Sequence, residues 1–132
     1  MIPAFDGPCP LLSVFDMPTA LAFYCDTLGF EIFQRSGSGR NCGWAFLRRG
    51  KAELMLNTAF EAADRPPVAD ILRTAHHGDT ILYFGCKELD SLHDSLAALG
   101  IVVSPPVVRS YGMRQLTITD PDGYHLCFQH PV

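Results

Sequence analysis

The sequence repeats itself at an offset of 71 residues. Leu28-Gly29-Phe30 answers Leu99-Gly100-Ile101, Leu21 falls on Leu92, and Phe15 falls on Cys86. Such a repeat constrains the fold more than any local propensity does, because the second copy must rebuild the supersecondary unit of the first. In the first copy, Leu11 to Phe15 is a short apolar run. Asp16-Met17-Pro18-Thr19 supplies an acidic helix cap with proline in the first turn. Leu21, Tyr24, Cys25 and Leu28 then recur at helical spacing up to Gly29, placed to end the helix in the left-handed conformation. Phe30 to Arg35, Trp44 to Arg48 and Glu53 to Asn57 read as strands, so the order is βαβββ. The second copy runs through a strand at Thr80 to Cys86, a helical stripe of Leu89, Leu92, Leu96 and Leu99 closed by Gly100, a strand at Ile101 to Val103, and two more strands.

Those last two strands form the most legible local element. Arg114 to Thr119 and Tyr124 to Gln129 alternate in polarity around Asp120-Pro121-Asp122-Gly123, the chemistry of a type I turn closed by a glycine that takes φ > 0. A three-residue loop with a bulge at Gly123 sets Thr119 opposite His125 and Thr117 opposite Cys127. Leu116, Ile118, Leu126 and Phe128 then share one face, and Gln115, Thr117, Thr119, His125, Cys127 and Gln129 share the other. The first face needs a core; the second suits water or a ligand.

The expected fold class is α+β: two βαβββ modules forming a curved mixed sheet with a concave cleft, helices on the outer face. Module one covers about residues 9–57 and module two about 79–130. The connector, 58–78, contains Pro66-Pro67 and a short helix from Val68 to His76, with His77 read as a loop residue after it. Neither half is large enough to bury a sufficient core alone, so the 132 residues make one domain.

Ten basic residues against 14 acidic ones give a net charge of −4. That balance argues against nucleic acid, whose phosphates need clustered Lys and Arg, and favours a neutral or cationic small ligand. No basic-then-apolar leader opens the chain and no apolar run approaches membrane-spanning length, so no membrane association and a cytoplasmic location are expected. The five cysteines, at 9, 25, 42, 86 and 127, are odd in number and lack zinc-type spacing. Free thiols in a reducing compartment fit that pattern.

Three segments together carry a resemblance: Phe23-Tyr24-Cys25-Asp26-Thr27-Leu28-Gly29-Phe30, Tyr111-Gly112-Met113-Arg114, and Asp120-Pro121-Asp122-Gly123-Tyr124. With Gly43-Trp44 opening the third strand, the chain from about Leu11 to Gln129 resembles the vicinal oxygen chelate superfamily. That superfamily includes glyoxalases, extradiol dioxygenases and bleomycin resistance proteins, and the resemblance is closest to the bleomycin-resistance branch. It implies a homodimer whose clefts are completed by both subunits.

The resemblance also implies where a metal would sit in the metal-dependent members. The four ligand positions fall at Cys9, Glu53, about Ile81, and Cys127. A hard divalent ion wants carboxylate or imidazole ligands, and only Glu53 qualifies; Cys9 and Cys127 with Glu53 would be a thiolate-rich set of the kind zinc accepts. Side chains two apart on a strand are too distant for a thiol-imidazole pair between His125 and Cys127, and no nucleophile elbow or phosphate loop is present.

The expected function is metal-independent binding of a cationic or amphipathic aromatic small molecule, with no cofactor, no metal and no catalytic residue. The ligand-binding residues expected are Trp44, Phe46, Glu53, Tyr83, Tyr111, Arg114, His125 and Cys127. The alternative is a metal-dependent lyase, isomerase, thiol transferase or dioxygenase of the same superfamily, which needs at least three competent cleft ligands.

Overall fold

The computed structural model describes all residues, 1–132. They divide into two units, Met1–Arg65 and Pro66–Val132. In the first, the elements are β1 (Leu11–Val14), α1 (Met17–Leu21), a π-helical continuation (Ala22–Thr27), β2 (Glu31–Arg35), β3 (Trp44–Arg49) and β4 (Ala52–Thr58). The strands form one mixed sheet in the order β1-β4-β3-β2, with β1 parallel to β4 and the other pairs antiparallel.

Asp16 starts α1 as its composition requires. Its carboxylate accepts from the Thr19 amide at 3.1 Å and also from the Thr19 hydroxyl. The helix buries Met17, Ala20, Leu21 and Tyr24, while alternate residues of the sheet, Leu12, Val14, Ala45, Leu47, Leu54 and Leu56, are buried as well. Gly29 ends the helical stretch at φ +81°, and the Arg49 guanidinium donates to its carbonyl at 3.0 Å.

The second unit holds α2 (Ile71–His77), β5 (Ile81–Gly85), α3 (Leu89–Ala98), β6 (Val107–Val108), β7 (Met113–Thr119) and β8 (His125–Pro131). Its sheet has the order β5-β8-β7-β6, the same winding as the first, again with one parallel pair. The sequence repeat is therefore a repeat of the βαβββ fold. Leu116, Ile118, Leu126 and Phe128 of the sheet and Leu89 and Leu96 of α3 are buried.

The terminal hairpin takes the bulged register. Thr119 pairs with His125, Thr117 with Cys127 and Gln115 with Gln129, and Gly123 sits at φ +91°. Asp120 fixes the turn, its Oδ1 accepting from the amides of Asp122 and Tyr124, both at 2.9 Å.

Two expectations are corrected. Ile101 to Val103 forms no strand; the edge strand is the two-residue β6 on the far side of Pro105-Pro106. Proline has no amide to donate to a ladder, so pairing with β7 begins only at Val107. The connecting helix runs through His77 rather than ending at His76, and it starts at Ile71 rather than Val68 because Asp70 accepts from the Leu72 amide at 3.0 Å. No helix is long and apolar enough to cross a membrane.

Candidate functional site

Each sheet has a second face, opposite its main apolar core residues, and the sequence-predicted residues other than Arg114 and the turn residue Tyr111 fall on these two surfaces. In the first unit, Trp44 pairs with Asn57, Phe46 with Met55 and Arg48 with Glu53, and strand parity sets all six opposite the buried Ala45, Leu47, Leu54 and Leu56. Leu11 and Ser13 of β1 join them through their pairing with Met55 and Asn57. Trp44 and Phe46 are half-buried.

A β-bulge extends this aromatic surface. The β2–β3 register shifts between Ile32 and Gln34, leaving Phe33 as an extra residue whose ring lies 5.9 Å from that of Phe46, at 63°. Bulges of this kind re-aim a side chain, and Phe33 remains 56% exposed. Arg48 lies over both rings, its Cζ 3.8 Å from the Phe33 centroid and 5.2 Å from that of Phe46. Its Nε donates to Glu53 Oε2 at 3.0 Å.

In the second unit, Ile81 pairs with His125 and Tyr83 with Cys127, so these four share a face with Gln115, Thr117 and Thr119. Tyr83 is 57% exposed and Thr117 and Thr119 are exposed, whereas Cys127 is only 3% exposed. His125 Nδ1 is 2.9 Å from the Thr119 hydroxyl. Tyr111, in the turn before β7, donates its hydroxyl to Gln115 Oε1 at 3.1 Å; the Gln115 amide donates to Gln129 Oε1 at 2.8 Å, and Arg109 Nε donates to Gln115 at 3.3 Å.

Arg114 is not brought to this surface. Parity places it with Leu116 on the helix side of β7, where it makes a bidentate pair with Asp90 of α3, Nη2 to Oδ1 at 2.8 Å and Nη1 to Oδ2 at 3.1 Å. The Arg114 guanidinium holds the Asp90 carboxyl below its ordinary range. Trp44, Phe46 and Glu53 thus share one surface, and Tyr83, His125 and Cys127 share another, linked to Tyr111 through Gln115. Arg48, Met55 and Ile81 are further members that strand parity could have identified. Phe33 could not have been found that way, because its bulge breaks the alternation.

The donor set does not fit a metal. Ile81 has no ligating atom, Glu53 already holds Arg48, and burial, then the Glu53 carboxylate, pushes the Cys9 thiol up from its ordinary value. Ligation requires the thiolate, which that environment disfavours. No group of three or more His, Cys, Asp and Glu side chains is placed to hold a metal ion, and all five cysteines are free.

Two βαβββ units of identical strand order, each presenting an open face, define the class of this fold. The sequence model of the Glyoxalase/Bleomycin resistance protein/Dioxygenase superfamily matches residues 9–128, and the chain belongs to that superfamily. Among solved structures, it resembles the bleomycin-binding protein of bleomycin-producing Streptomyces verticillus, solved with copper(II)-bleomycin. Identity is 24%, the match covers 96% of this chain and 97% of that one, and the TM-score is 0.65. The bleomycin resistance determinant encoded on transposon Tn5 is 22% identical over 96% of this chain and 98% of its own, with a TM-score of 0.68. TnmS3, an antibiotic-binding protein from Streptomyces sp. CB03234, is 24% identical over 96% and 98%, with a TM-score of 0.65. At these identities the likeness is one of fold. No curated protein matches the chain.

Proposed function

We propose that this protein binds and sequesters an amphipathic or cationic aromatic small molecule without a metal, acting in the cytoplasm as a homodimer. The observation that carries the reading is the open aromatic face of the first sheet, where Phe33, Trp44 and Phe46 gather beside Glu53. Aromatic side chains left partly in water supply stacking surface worth about 0.5–1.5 kcal/mol each beyond their buried area. Tyr83 and Tyr111 add exposed rings on the second unit. Solved proteins of the same fold include one that binds bleomycin and one that binds an antibiotic, which supports the reading, and the dimer rests on the family resemblance alone. Arg114, engaged by Asp90, drops out of the proposed binding set.

The test is titration of the purified protein with a bleomycin-type glycopeptide and a panel of aromatic amines, following Trp44, the single tryptophan, by fluorescence. Sedimentation equilibrium gives the assembly state. Saturable quenching by a member of the panel and a dimeric mass are expected. A monomer with no response to any of them contradicts the reading.

A further inference from the structure

Arg48 sits in the middle of a row across the first sheet: the register pairs it with Glu31 on β2 and with Glu53 on β4. Its guanidinium lies on the faces of Phe33 and Phe46 and donates to Glu53. Two aromatic rings set at 63° beside a carboxylate make a seat for an organic cation, held by the ring quadrupoles and one charge-assisted hydrogen bond. The chain fills that seat with its own side chain.

We propose that Arg48 is a built-in competitor for the cation seat formed by Phe33, Phe46 and Glu53, and that the seat takes the ammonium or guanidinium group of an aromatic ligand. This rests on the aromatic face being the binding surface. Both partners of the Arg48–Glu53 pair remain over two-fifths exposed, at 45% and 42% of their side-chain surface. Exposed pairs of this kind are weak, so an incoming cation that takes over the two ring contacts displaces Arg48 at little cost. The terminal amino groups of Arg48 donate to no other group, so its departure breaks only the bond to Glu53 and the two ring contacts. Once it has left, Glu31 and Glu53 remain on the face to hold a ligand cation.

The test pairs two ligands of one shape, 2-naphthylmethylammonium and the neutral 2-naphthylmethanol, titrated by calorimetry into the full chain, into Arg48→Met and into the double variant Arg48→Met with Glu53→Gln. Thermal unfolding of each protein checks that it is folded. Arg48→Met is expected to bind the ammonium roughly ten-fold more tightly than the unsubstituted protein, by freeing the rings and the carboxylate, with the alcohol changed less than two-fold. Adding Glu53→Gln removes most of the gain, and Arg48→Lys, which restores a competing cation, removes part of it. If Arg48→Met binds the ammonium no better, or gains equally for both ligands, Arg48 is not a competitor for the seat, although the face still binds aromatics. If neither ligand binds any of these proteins, the aromatic face is not the binding surface and both readings fall.

Discussion

His77 lies flat on Tyr124, with ring centroids 4.1 Å apart and planes 11° from parallel. Its Nδ1 is 2.7 Å from the Asp122 carbonyl oxygen. A carbonyl only accepts, so Nδ1 donates to it, and Nε2 lies 3.3 Å from the Tyr124 hydroxyl oxygen. The last turn of the connecting helix α2 is thereby fastened to the hairpin turn. His77→Ala removes the stack and both hydrogen bonds together and is expected to lower unfolding stability by about 1–2 kcal/mol. Urea denaturation measures it, with ligand affinity unchanged.

The same docking explains a stronger demand at Gly123. A Cβ there would lie 2.2 Å from the Thr74 carbonyl oxygen of α2, and φ is +91°. Gly123→Ala therefore combines backbone strain with a backbone clash, for an expected loss of about 2–4 kcal/mol. At Gly112, where φ is +85° but nothing lies within 4 Å, the same substitution carries only the strain and should cost less. Equal urea midpoints for the two variants would contradict the close approach.

Arg114→Gln tests the placement of the arginine behind the sheet. Its hydrogen bonds hold the Asp90 carboxyl down in the folded chain, so the pair stabilises above the unfolded carboxylate pKa. That contribution is lost as pH falls through the lower folded value. The urea midpoint of the unsubstituted protein should exceed that of Arg114→Gln at pH 7, with the gap closing below about pH 4. Ligand affinity should be the same for both at pH 7, whereas a selective loss of binding would return Arg114 to the site.

Phe46→Leu keeps apolar bulk on the first sheet while removing a stacking face. A three- to ten-fold loss of ligand affinity, roughly the value of one aromatic contact, is expected by calorimetry, with little change in the unfolding midpoint.

The fold was legible because its signals are local and doubled. Gly29 and Gly100 end matching helices at φ +81° and +80°, and the Asp120 to Gly123 turn sets the hairpin register by itself. Where tertiary pairing decides, the sequence says less. Ile101 to Val103 reads as a strand, yet the residues that pair with β7 are Val107 and Val108, beyond Pro105-Pro106. Only a bulge visible in the β2–β3 register brings Phe33 to the aromatic face. Arg114 shows the limit of a motif: the resemblance carries it into the site, while its parity with Leu116 places it behind the sheet. Parity with Trp44 and Phe46 sets Arg48 on the same face from sequence alone, but its pairing with Glu53 emerges only with the register.

Ligand binding without a metal is measured by calorimetric titration of chelator-treated protein with the aromatic panel, repeated after adding manganese, nickel or zinc. Micromolar or tighter binding of at least one amphipathic aromatic is expected in the metal-free protein, with an affinity that added metal leaves within about two-fold. Stoichiometric metal uptake at micromolar affinity, with ligand binding or turnover only in its presence, would contradict it.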